Sequence, residues 1–600
     1  MNLTSESKLT MIYKLCFCSV VPALLFSVLG ETWAQTPNWL WAHAIGGTWY
    51  DIGTSIAVDK ENGDVYTAGY FYVTADFDTG PDIFNLNTDE YGAFISKTDS
   101  DGHFIWSKAL SGTGYSSADA IALDQSGSGN VYSMGEFSGT IDFDPGPDIY
   151  NVTSERDKSI FILKLNSKGE FIWVKTITGS YNETKNPIAL DPSGSGDFYI
   201  TGNFNQTLDI DPGTEVFTID VFEDIFIAKF DSSGHFLWVR TIGSPASTVI
   251  TKSIAFDPSI DGGVYYTGYF FGTIDFNPGE EVYNITATGN NDVFISKLDR
   301  YGNFVWAKSM KGKNDGSRAK STSIVIDPSE SGGIYTTGDF WETIDFDPGG
   351  GTCKLTDGGI FISKLDSDGE LIWAKALKGT DGYNSGYSIA IDDSGNGDIF
   401  ITGLFTGKVD FDPGSKKFNI NSVGLMNTFL SKLDCSGNFI WVKTMSGRSK
   451  SRTSSGLSVA LDHAGNAYLT GCFNSADFAF DSIIVKNVDG KDPAQDGITN
   501  DIFIAKLGTS SPLPDKDSKS LHMTLTPNPT KDKLKIEYDN VDLHKALITV
   551  FNLAGEVMFS IPNEEIENKI TIDISHLASG IYFIRLDMNG NRMTQKVFKE

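Results

Sequence analysis

Two short apolar runs separated by an Asp-Gly dipeptide recur along the chain, and residues 361–377, FISKLDSDGELIWAKAL, show them most clearly. In both runs apolar and polar residues alternate, which is typical of half-buried β-strands. The dipeptide Asp368-Gly369 lies between the runs and can adopt the positive φ angles that a tight hairpin turn requires. The pattern therefore predicts a β-hairpin here and at each of its copies.

The copies are evenly spaced. The tryptophan of the second run recurs every 65 to 68 residues, at Trp41, Trp106, Trp173, Trp238, Trp306, Trp373 and Trp441. Each copy has four strand-like runs, for example 388–392, 398–405, 361–365 and 371–377. A four-stranded sheet cannot bury both of its faces alone, so neighbouring copies must stack. An all-β fold follows, with a seven-bladed β-propeller over residues 35–507.

The first and the last strand of the repeated stretch each lack the neighbouring strand that the other copies have. The first tryptophan strand, residues 39–44, has no partner strand before it, and the last partner strand, residues 503–507, has no tryptophan strand after it. We therefore expect the N-terminal strand to complete the last blade and close the ring.

Two repeated residues have structural interpretations. The seven tryptophans are expected to pack between outer strands, because each can bury a large apolar area. A glycine lies inside a predicted strand in every copy, at Gly69, Gly135, Gly202, Gly268, Gly338, Gly403 and Gly471. Glycine weakens a strand interior, so this position predicts a β-bulge or a close approach between blades.

Most copies continue into an acidic turn such as IDFDPG at 141–146. The first Asp of such a turn can accept backbone N–H bonds and cap it. Alternatively, two carboxylates two residues apart, with nearby carbonyls, could bind calcium, which prefers six to eight oxygen ligands. Both interpretations stay open, and calcium is the candidate cofactor. The candidate metal ligands are Asp76, Asp78, Asp142, Asp144, Asp209, Asp211, Asp345, Asp347, Asp410 and Asp412.

The chain is strongly acidic. It has 600 residues with 77 acidic and 47 basic side chains, a net charge of −30, of which about −28 falls within residues 35–507. Such a surface repels phosphate backbones and anionic lipid, so nucleic acid is excluded as a partner. Cations fit it.

The first 34 residues predict a cleaved secretory signal peptide. Residues 1–14 contain lysines, residues 15–29 are apolar, and Thr32-Trp33-Ala34 resembles a cleavage site. The apolar run is shorter than the roughly 20 residues that span a membrane. We therefore expect export and no transmembrane segment in the mature chain.

Enzyme motifs are scarce. No GxSxG or HExxH motif occurs, and we expect the four histidines of residues 35–507, His43, His103, His235 and His463, to be solvated. No catalytic residue is therefore predicted.

The repeat resembles a known family. GNVYSMGEF at 129–137, followed by GTIDFDPG and by FILKLNSKGEFIW at 161–173, looks like the SBBP family of β-propeller repeats. The likeness covers residues 35–507. It implies the propeller fold and no single activity.

The end of the chain differs from the repeat. Residues 508–520 are Pro- and Ser-rich and predict a linker. Residues 521–600 predict a small Ig-like β-sandwich with strands at 534–538, 548–552, 570–574, 581–586 and 594–598.

Three motifs in this segment resemble the type A C-terminal sorting domain of the type IX secretion system: LTPNPTKDKLKI at 525–536, ITVFNLAGEVM at 548–558 and IDISHLASGIYFIRL at 572–586. The resemblance implies contact of residues 521–600 with that secretion machinery and export across the outer membrane of a Gram-negative cell. It also implies removal of the domain on arrival, with the product released or attached to the surface.

Together these features predict a secreted or surface-displayed binding or adhesion module for a glycan or surface protein. Two alternatives stay open: an extracellular carbohydrate-active enzyme (glycoside hydrolase or lyase) and a structural surface component. Convergent acids in a pocket on the loop face would favour the enzyme, whereas a flat or aromatic-rich face would favour binding.

Overall fold

The computed structural model divides the chain into two compact parts, Met1–Thr509 and Ser510–Glu600, called here the repeat region and the terminal region. All regular secondary structure in the described residues is β-strand. The predicted signal peptide lies outside them, as does the predicted linker apart from Gly508. The structure describes residues 37–47, 49–155, 157–181, 187–210, 218–219, 224–244, 247–258, 262–328, 332–379, 382–394, 396–447, 453–488, 499–508, 523–526, 529–538, 546–552, 557–563, 569–588 and 591–599.

The strands of the repeat region are numbered in chain order. The first two repeats contain β1 (Asn38–Gly47), β2 (Ile52–Val58), β3 (Val65–Asp76), β4 (Asn85–Thr98), β5 (Phe104–Gly112), β6 (Ser116–Leu123), β7 (Val131–Phe137), β8 (Thr140–Asp142), β9 (Asn151–Thr153), β10 (Ser159–Leu165) and β11 (Phe171–Tyr181). The next two contain β12 (Ile188–Leu190), β13 (Phe198–Asp209), β14 (Thr218–Ile219), β15 (Asp224–Phe230), β16 (Phe236–Ile242), β17 (Thr248–Phe256), β18 (Val264–Phe271), β19 (Thr273–Asp275), β20 (Asn284–Thr286), β21 (Asp292–Leu298) and β22 (Phe304–Gly312). The last three contain β23 (Arg318–Ile326), β24 (Ile334–Trp341), β25 (Ile344–Asp345), β26 (Lys354–Leu355), β27 (Gly359–Leu365), β28 (Leu371–Gly379), β29 (Ser385–Ile391), β30 (Ile399–Phe405), β31 (Lys408–Asp410), β32 (Asn419–Asn421), β33 (Asn427–Leu433), β34 (Phe439–Gly447), β35 (Ser454–Leu461), β36 (Ala467–Phe473), β37 (Asp477–Phe480), β38 (Ile483–Lys486) and β39 (Asp501–Gly508).

The long strands pair into seven four-stranded antiparallel sheets, which we number one to seven. Their strand orders are β2-β3-β4-β5, β6-β7-β10-β11, β12-β13-β15-β16, β17-β18-β21-β22, β23-β24-β27-β28, β29-β30-β33-β34 and β35-β36-β39-β1. The first strand of each sheet contacts the first strand of the next, and β35 of sheet seven contacts β2 of sheet one. Contacts between sheets therefore run in a cycle.

Serine side chains tie first strands together along this cycle. The backbone N–H of Ile121 in sheet two donates to Oγ of Ser55 in sheet one at 3.2 Å. The N–H of Ile56 in sheet one donates to Oγ of Ser458 in sheet seven at 3.3 Å. Equivalent bonds join sheets four to five, five to six and six to seven.

The fourth strand of sheet seven is the first strand of the chain. Strand β1 pairs with β39 in register from Asn38 opposite Gly508 to Ile45 opposite Ile502. Trp39 and Ile45 of β1 are buried in the joint. Both ends of the repeat region consequently meet at one edge of this sheet.

The tryptophans pack as predicted and also connect neighbouring sheets. Trp106 lies 6.1 Å from Tyr66 within sheet one, measured between ring centroids, and its indole N–H donates to the Ser167 carbonyl of the next sheet at 3.3 Å. A Cβ at Gly169 would lie 3.1 Å from the same indole. Trp41, Trp238, Trp306 and Trp373 make equivalent bonds to the hairpin turn of the next sheet.

The hairpin turn is longer than the Asp-Gly dipeptide predicts. Leu365 pairs with Leu371, which leaves a five-residue loop in which Gly369 has a φ of 77°. Oδ1 of Asp366 accepts the backbone N–H bonds of Asp368 and Glu370 at 3.0 and 2.9 Å. The carboxylate thus supplies the hydrogen bonds that a two-residue turn would make through its backbone.

The strand glycine faces a β-bulge, one of the two predicted explanations. A Cβ at Gly338 would lie 1.9 Å from the carbonyl oxygen of Lys320 on the first strand of the same sheet. The register of that first strand shifts between Ser321 and Ser323. The same shift occurs opposite Gly69, Gly135, Gly268, Gly403 and Gly471.

The terminal region consists of two sheets with one apolar core, to which Leu534, Ile536, Ile548, Val550 and Ile584 contribute. The predicted strands are present, and the structure adds two that were not predicted, β40 and β43. One sheet is β40 (Met523–Thr526), β41 (Lys533–Tyr538) and β44 (Lys569–Asp573), and the other is β43 (Val557–Asn563), β42 (Ala546–Asn552), β45 (Gly580–Met588) and β46 (Asn591–Lys599).

Deleting residues 36–45 removes most of β1 and should lower the thermal midpoint of the repeat region by roughly 10 °C or more, because β39 loses its partner and the contact cycle is broken. Differential scanning calorimetry measures the midpoint. Deletion of residues 510–600 is the matched control and should leave that transition in place. An unchanged midpoint after loss of β1 would contradict the importance of the β1–β39 joint.

Candidate functional site

The acidic turns form short two-stranded ribbons that clamp onto the preceding sheet. In the second repeat the ribbon consists of β8 and β9, and Asp142 pairs with Ser111 in the fourth strand of sheet one. The ribbons of the other repeats meet the preceding fourth strand in the same register. The acidic turn is therefore part of the joint between sheets, a role that the turn sequence alone did not predict.

Within each turn the carboxylates accept backbone hydrogen bonds. The N–H groups of Asp144 and Tyr150 donate to Oδ1 of Asp142 at 3.1 and 2.8 Å, and the N–H of Gly146 donates to Oδ1 of Asp144 at 2.7 Å. The pairs Asp76 and Asp78, Asp345 and Asp347, and Asp410 and Asp412 repeat these contacts. Asp209 holds the equivalent strand position, and Asp211 lies outside the described residues.

Two repeats vary this arrangement. In the fourth, Asn277 replaces the second Asp and still accepts the N–H of Gly279 at 2.9 Å. In the seventh, Ala479 lies opposite Ser446, where the other ribbons have their first Asp. A neutral amide can therefore do what the second carboxylate does, which agrees with the capping interpretation.

The calcium interpretation stays a prediction. Each candidate pair comes from its own turn, and the described carboxylates already accept backbone N–H bonds through one oxygen. Among the residues that the structure describes, no group of three or more His, Cys, Asp or Glu side chains is arranged to hold a metal ion.

The repeat region has two ends along its strand direction. The end with the ribbons and the connections between sheets is called here the ribbon face. The end with the five-residue hairpin turns is called the hairpin face, and antiparallel pairing places it opposite. Gly508 and Asn38 lie at the hairpin face, so the chain leaves toward the terminal region from there.

Aromatic side chains cluster on the ribbon face of sheets one and two. The ring centroids of Trp49 and Tyr72 lie 5.8 Å apart, those of Tyr72 and Tyr91 4.8 Å, and those of Tyr91 and Tyr115 5.9 Å. Trp49 is 54% exposed, and the Lys158 ammonium lies over the Tyr115 ring at 5.2 Å. We call Trp49, Tyr72, Tyr91 and Tyr115 the aromatic patch.

The residue after the strand glycine differs from repeat to repeat. It is Tyr70, Glu136, Asn203, Tyr269, Asp339, Leu404 and Cys472 in sheets one to seven. Other positions of the repeat, such as those of the tryptophan and of the strand glycine, have the same residue type in all seven copies. This position therefore carries chemistry that packing does not dictate.

Several of these variable side chains interact across sheet boundaries. Burial raises the pKa of the Tyr70 phenol, and Cys472 of sheet seven and Glu136 of sheet two raise it further. Burial likewise raises the pKa of Tyr387 in sheet six, with added contributions from Asp339 and Cys472. These groups therefore share one electrostatic environment near the ribbon face.

Two acids lie beside the aromatic patch. Glu136 is buried and its Oε1 accepts a hydrogen bond from Lys158 Nζ at 2.8 Å. Oδ1 of Asp119 accepts one from the Ser117 hydroxyl at 3.1 Å. Both carboxylates are thus held in place beside the aromatic rings.

The histidines partly contradict the expectation of solvated side chains. His103, His235 and His463 are exposed and lie 3.0, 2.8 and 3.5 Å from Asp99, Asp231 and Asp393. His43 instead lies in the joint between sheets seven and one, where burial and the nearby His103 lower the pKa of its imidazole. The expectation was wrong for His43 because β1 packs it against the Gly102 turn.

Sequence reasoning missed the aromatic patch and the variable position. The patch residues come from two connections between sheets and from strands β3 and β4, so no single motif contains them. Superimposing the seven repeats and asking which position fails to repeat would have found the variable set.

Residues 524–600 match the family of the secretion system C-terminal sorting domain, which confirms the resemblance at the end of the chain. This domain implies contact with the type IX secretion machinery and indicates secretion or display on the outer cell surface. No helix among the described residues is long and apolar enough to cross a membrane.

The chain is also similar to an uncharacterized WD repeat-containing protein of Acanthamoeba polyphaga mimivirus, with 24% identity over 523 residues, covering 74% of this chain and 36% of that protein. It thus spans about a third of this relative's length.

Two solved structures show weak likeness. The extracellular domain of a hybrid two-component system from B. thetaiotaomicron has a TM-score of 0.23 and 11% identity, over 91% of this chain and 75% of its own. Dimeric latent PorU from Porphyromonas gingivalis has a TM-score of 0.13 and 9% identity, over 70% and 33%.

The two interpretations of the acidic turn predict different effects of mutation. Asp142→Ala should lower the free energy of unfolding by about 1 kcal/mol, because two backbone N–H groups lose their acceptor. Asp142→Asn should change it little, since the amide oxygen can still accept. Chemical denaturation measures both values in the presence of a chelator.

Calcium binding predicts a further effect. Added calcium would raise the unfolding free energy of the wild-type chain and release or absorb heat in calorimetric titration, and Asp142→Asn would weaken both signals. Absence of any calcium effect on the chelator-treated wild type would leave capping as the role of these carboxylates.

The sorting domain should be sufficient to direct the export of a protein to which it is fused. A periplasmic reporter fused to residues 508–600 should appear outside a host with an active type IX system, since the signal lies in this segment. The same fusion in a host without that system is the control and should remain in the periplasm. Retention of the fusion by the competent host would contradict the sorting role.

Proposed function

We propose that the repeat region is a seven-bladed β-propeller of the SBBP type that acts as a secreted or surface-displayed binding or adhesion module. The observation that carries this proposal is the aromatic patch on the ribbon face, at the end where the repeats diverge. Exposed aromatic rings offer large, rigid contact surfaces with a polar edge, which suits glycans and protein surfaces alike.

The propeller assignment is supported by the seven four-stranded sheets, by their cyclic contacts and by the joint of β1 with β39. The name of the mimivirus relative points the same way, because WD repeats each form one four-stranded propeller blade. Closure into a ring buries the faces that an open array would leave exposed.

The acids beside the patch keep the carbohydrate-active enzyme as the second candidate. Glu136 and Asp119 flank the aromatic rings, and a pair of carboxyl groups is what glycoside cleavage requires. However, the Glu136 carboxylate is buried and bonded to Lys158, which favours a structural role for it. A purely structural surface component would use neither the patch nor the acids.

A glycan array probed with the mature chain, residues 35–600, tests the proposal. Binding should fall by at least about tenfold in Trp49→Ala and Tyr91→Ala, because stacked aromatic anchors dominate such contacts. Tyr301→Ala removes an exposed ring on the hairpin face and is the matched control, for which binding should be unchanged.

Each other outcome changes the proposal in a defined way. Release of new reducing ends from a bound glycan would favour the enzyme hypothesis over the binding hypothesis. Loss of binding in a chelator would assign the acidic turns a part in it. The role of the patch would be overturned if all three variants changed binding equally. It would also be overturned if the chain bound neither glycans nor surface proteins.

A further inference from the structure

A second site lies on the ribbon face, between sheets five and six. It is a cleft of about 130 Å³ whose side-chain lining includes Arg318, Asp339, Trp341, Asp357 and Tyr383. Its volume is well below the 300 to 1,000 Å³ or so of sites that enclose drug-sized ligands. The cleft therefore suits one small group, such as a single sugar unit of a longer chain.

The walls of the cleft are aromatic and exposed. Trp341 is 50% exposed and Tyr383 is 46% exposed. The two residues come from different sheets, Trp341 from the end of β24 and Tyr383 from the connection before β29. Two exposed rings at one small cleft offer apolar faces to the C–H groups of a sugar.

The backbone around the cleft is strained. Asp357 lines the cleft with a φ of 75°, although it is not glycine, and Gly358 and Gly359 follow with 74° and 134°. A Cβ at Gly359 would lie 2.3 Å from the Leu377 carbonyl oxygen. Strained non-glycine residues persist where the surrounding structure holds them, and they concentrate at ligand-binding sites.

The cleft holds an arginine that forms no ion pair among the described residues, although its charge acts on Asp339 in the same cleft. The Arg318 guanidinium lies over the Trp341 ring at 5.5 Å, and its side chain makes no hydrogen bond or ion pair with the residues that the structure describes. The Asp357 carboxylate is engaged elsewhere, since it accepts bonds from Thr356 Oγ1 at 2.8 Å and Lys378 Nζ at 3.3 Å. The chain has a net charge of −30. An arginine without an ion pair at an aromatic cleft therefore differs from the acidic side chains that dominate the sequence.

The neighbouring polar groups are fixed. Lys320, two residues along β23 and on the same side of the strand, lies over the Tyr269 ring at 4.7 Å. It pairs across the sheet with Asp339, whose Oδ1 accepts a hydrogen bond from the Ser385 hydroxyl at 3.1 Å. Asp339 can therefore bind a ligand hydroxyl without moving.

We infer that this cleft binds one sugar unit that carries a carboxylate, a uronic acid within an acidic polysaccharide. Arg318 pairs with the carboxylate, as guanidinium groups do through two parallel N–H bonds. Trp341 and Tyr383 contact the sugar ring, and Asp339 takes a hydroxyl. This inference rests on the proposed binding function and names its ligand class at a site separate from the aromatic patch.

Two matched probes test it on the mature chain: methyl glucuronoside and methyl glucoside, which differ only in the carboxylate. Isothermal titration should show the glucuronoside binding about tenfold or more tightly. Arg318→Met should remove that preference and leave glucoside affinity unchanged, Arg318→Lys should restore part of it, and Trp341→Ala should weaken both probes. Lys354→Met removes an exposed cation from the same repeat and is the control for net charge.

Thermal unfolding of each variant shows that it is folded. Equal affinity for the two glycosides, or equal losses in Arg318→Met and Lys354→Met, would overturn the inference. Loss of glucuronoside binding in Trp49→Ala and Tyr91→Ala but not in Arg318→Met would overturn it while leaving the proposed function in place. Binding that depends on Arg318 but not on the patch supports the cleft and removes the patch from the proposed function.

Discussion

The pairing of β1 with β39 is the constraint on which the repeat region depends. Six of the seven sheets are each built from one continuous stretch of the chain, and only sheet seven takes its fourth strand from the other end of the repeat region. Without that strand, the contacts of β2 with β35, β36 and β39 would have to hold the first and last sheets together. The same pairing places Asn38 and Gly508 side by side at the hairpin face.

Joints between sheets explain which residues recur. The tryptophan on the fourth strand of every sheet except sheet six lies against the glycine of the next hairpin turn, and each acidic ribbon pairs with the preceding fourth strand. A residue that contacts the next repeat must match a partner that recurs as well, so it can change only together with that partner. The position after the strand glycine has no such recurring partner to match, and there the seven repeats carry six different residue types, of which only tyrosine occurs twice.

Periodicity predicted much of this region and little of its surface chemistry. Alternating apolar runs located the hairpins and the four strands of each repeat, the tryptophans were expected to be packed, and the strand glycine pointed to the bulge. The ribbons were missed because their pairing joins residues of different repeats, and a local turn motif contains no information about that register. His43 was expected in solvent, but its burial depends on which turn β1 packs against. Trp49 lies near Tyr91, and Arg318 lies near Tyr383, only because of the topology.

The acidic turns show why abundance of a residue type is a poor guide to function here. Their carboxylates account for much of the visible charge pattern, yet each first Asp accepts two N–H bonds of its own turn, and Asn277 does the work of a second Asp without any charge. Repetition of that kind reflects the needs of a joint that occurs once per sheet. A binding site for one ligand needs its chemistry once, so the informative residues are those that break the repeat. Arg318 and its aromatic neighbours do so, since the guanidinium lies over the Trp341 ring and forms no ion pair with a described residue, which leaves it able to pair with a ligand anion.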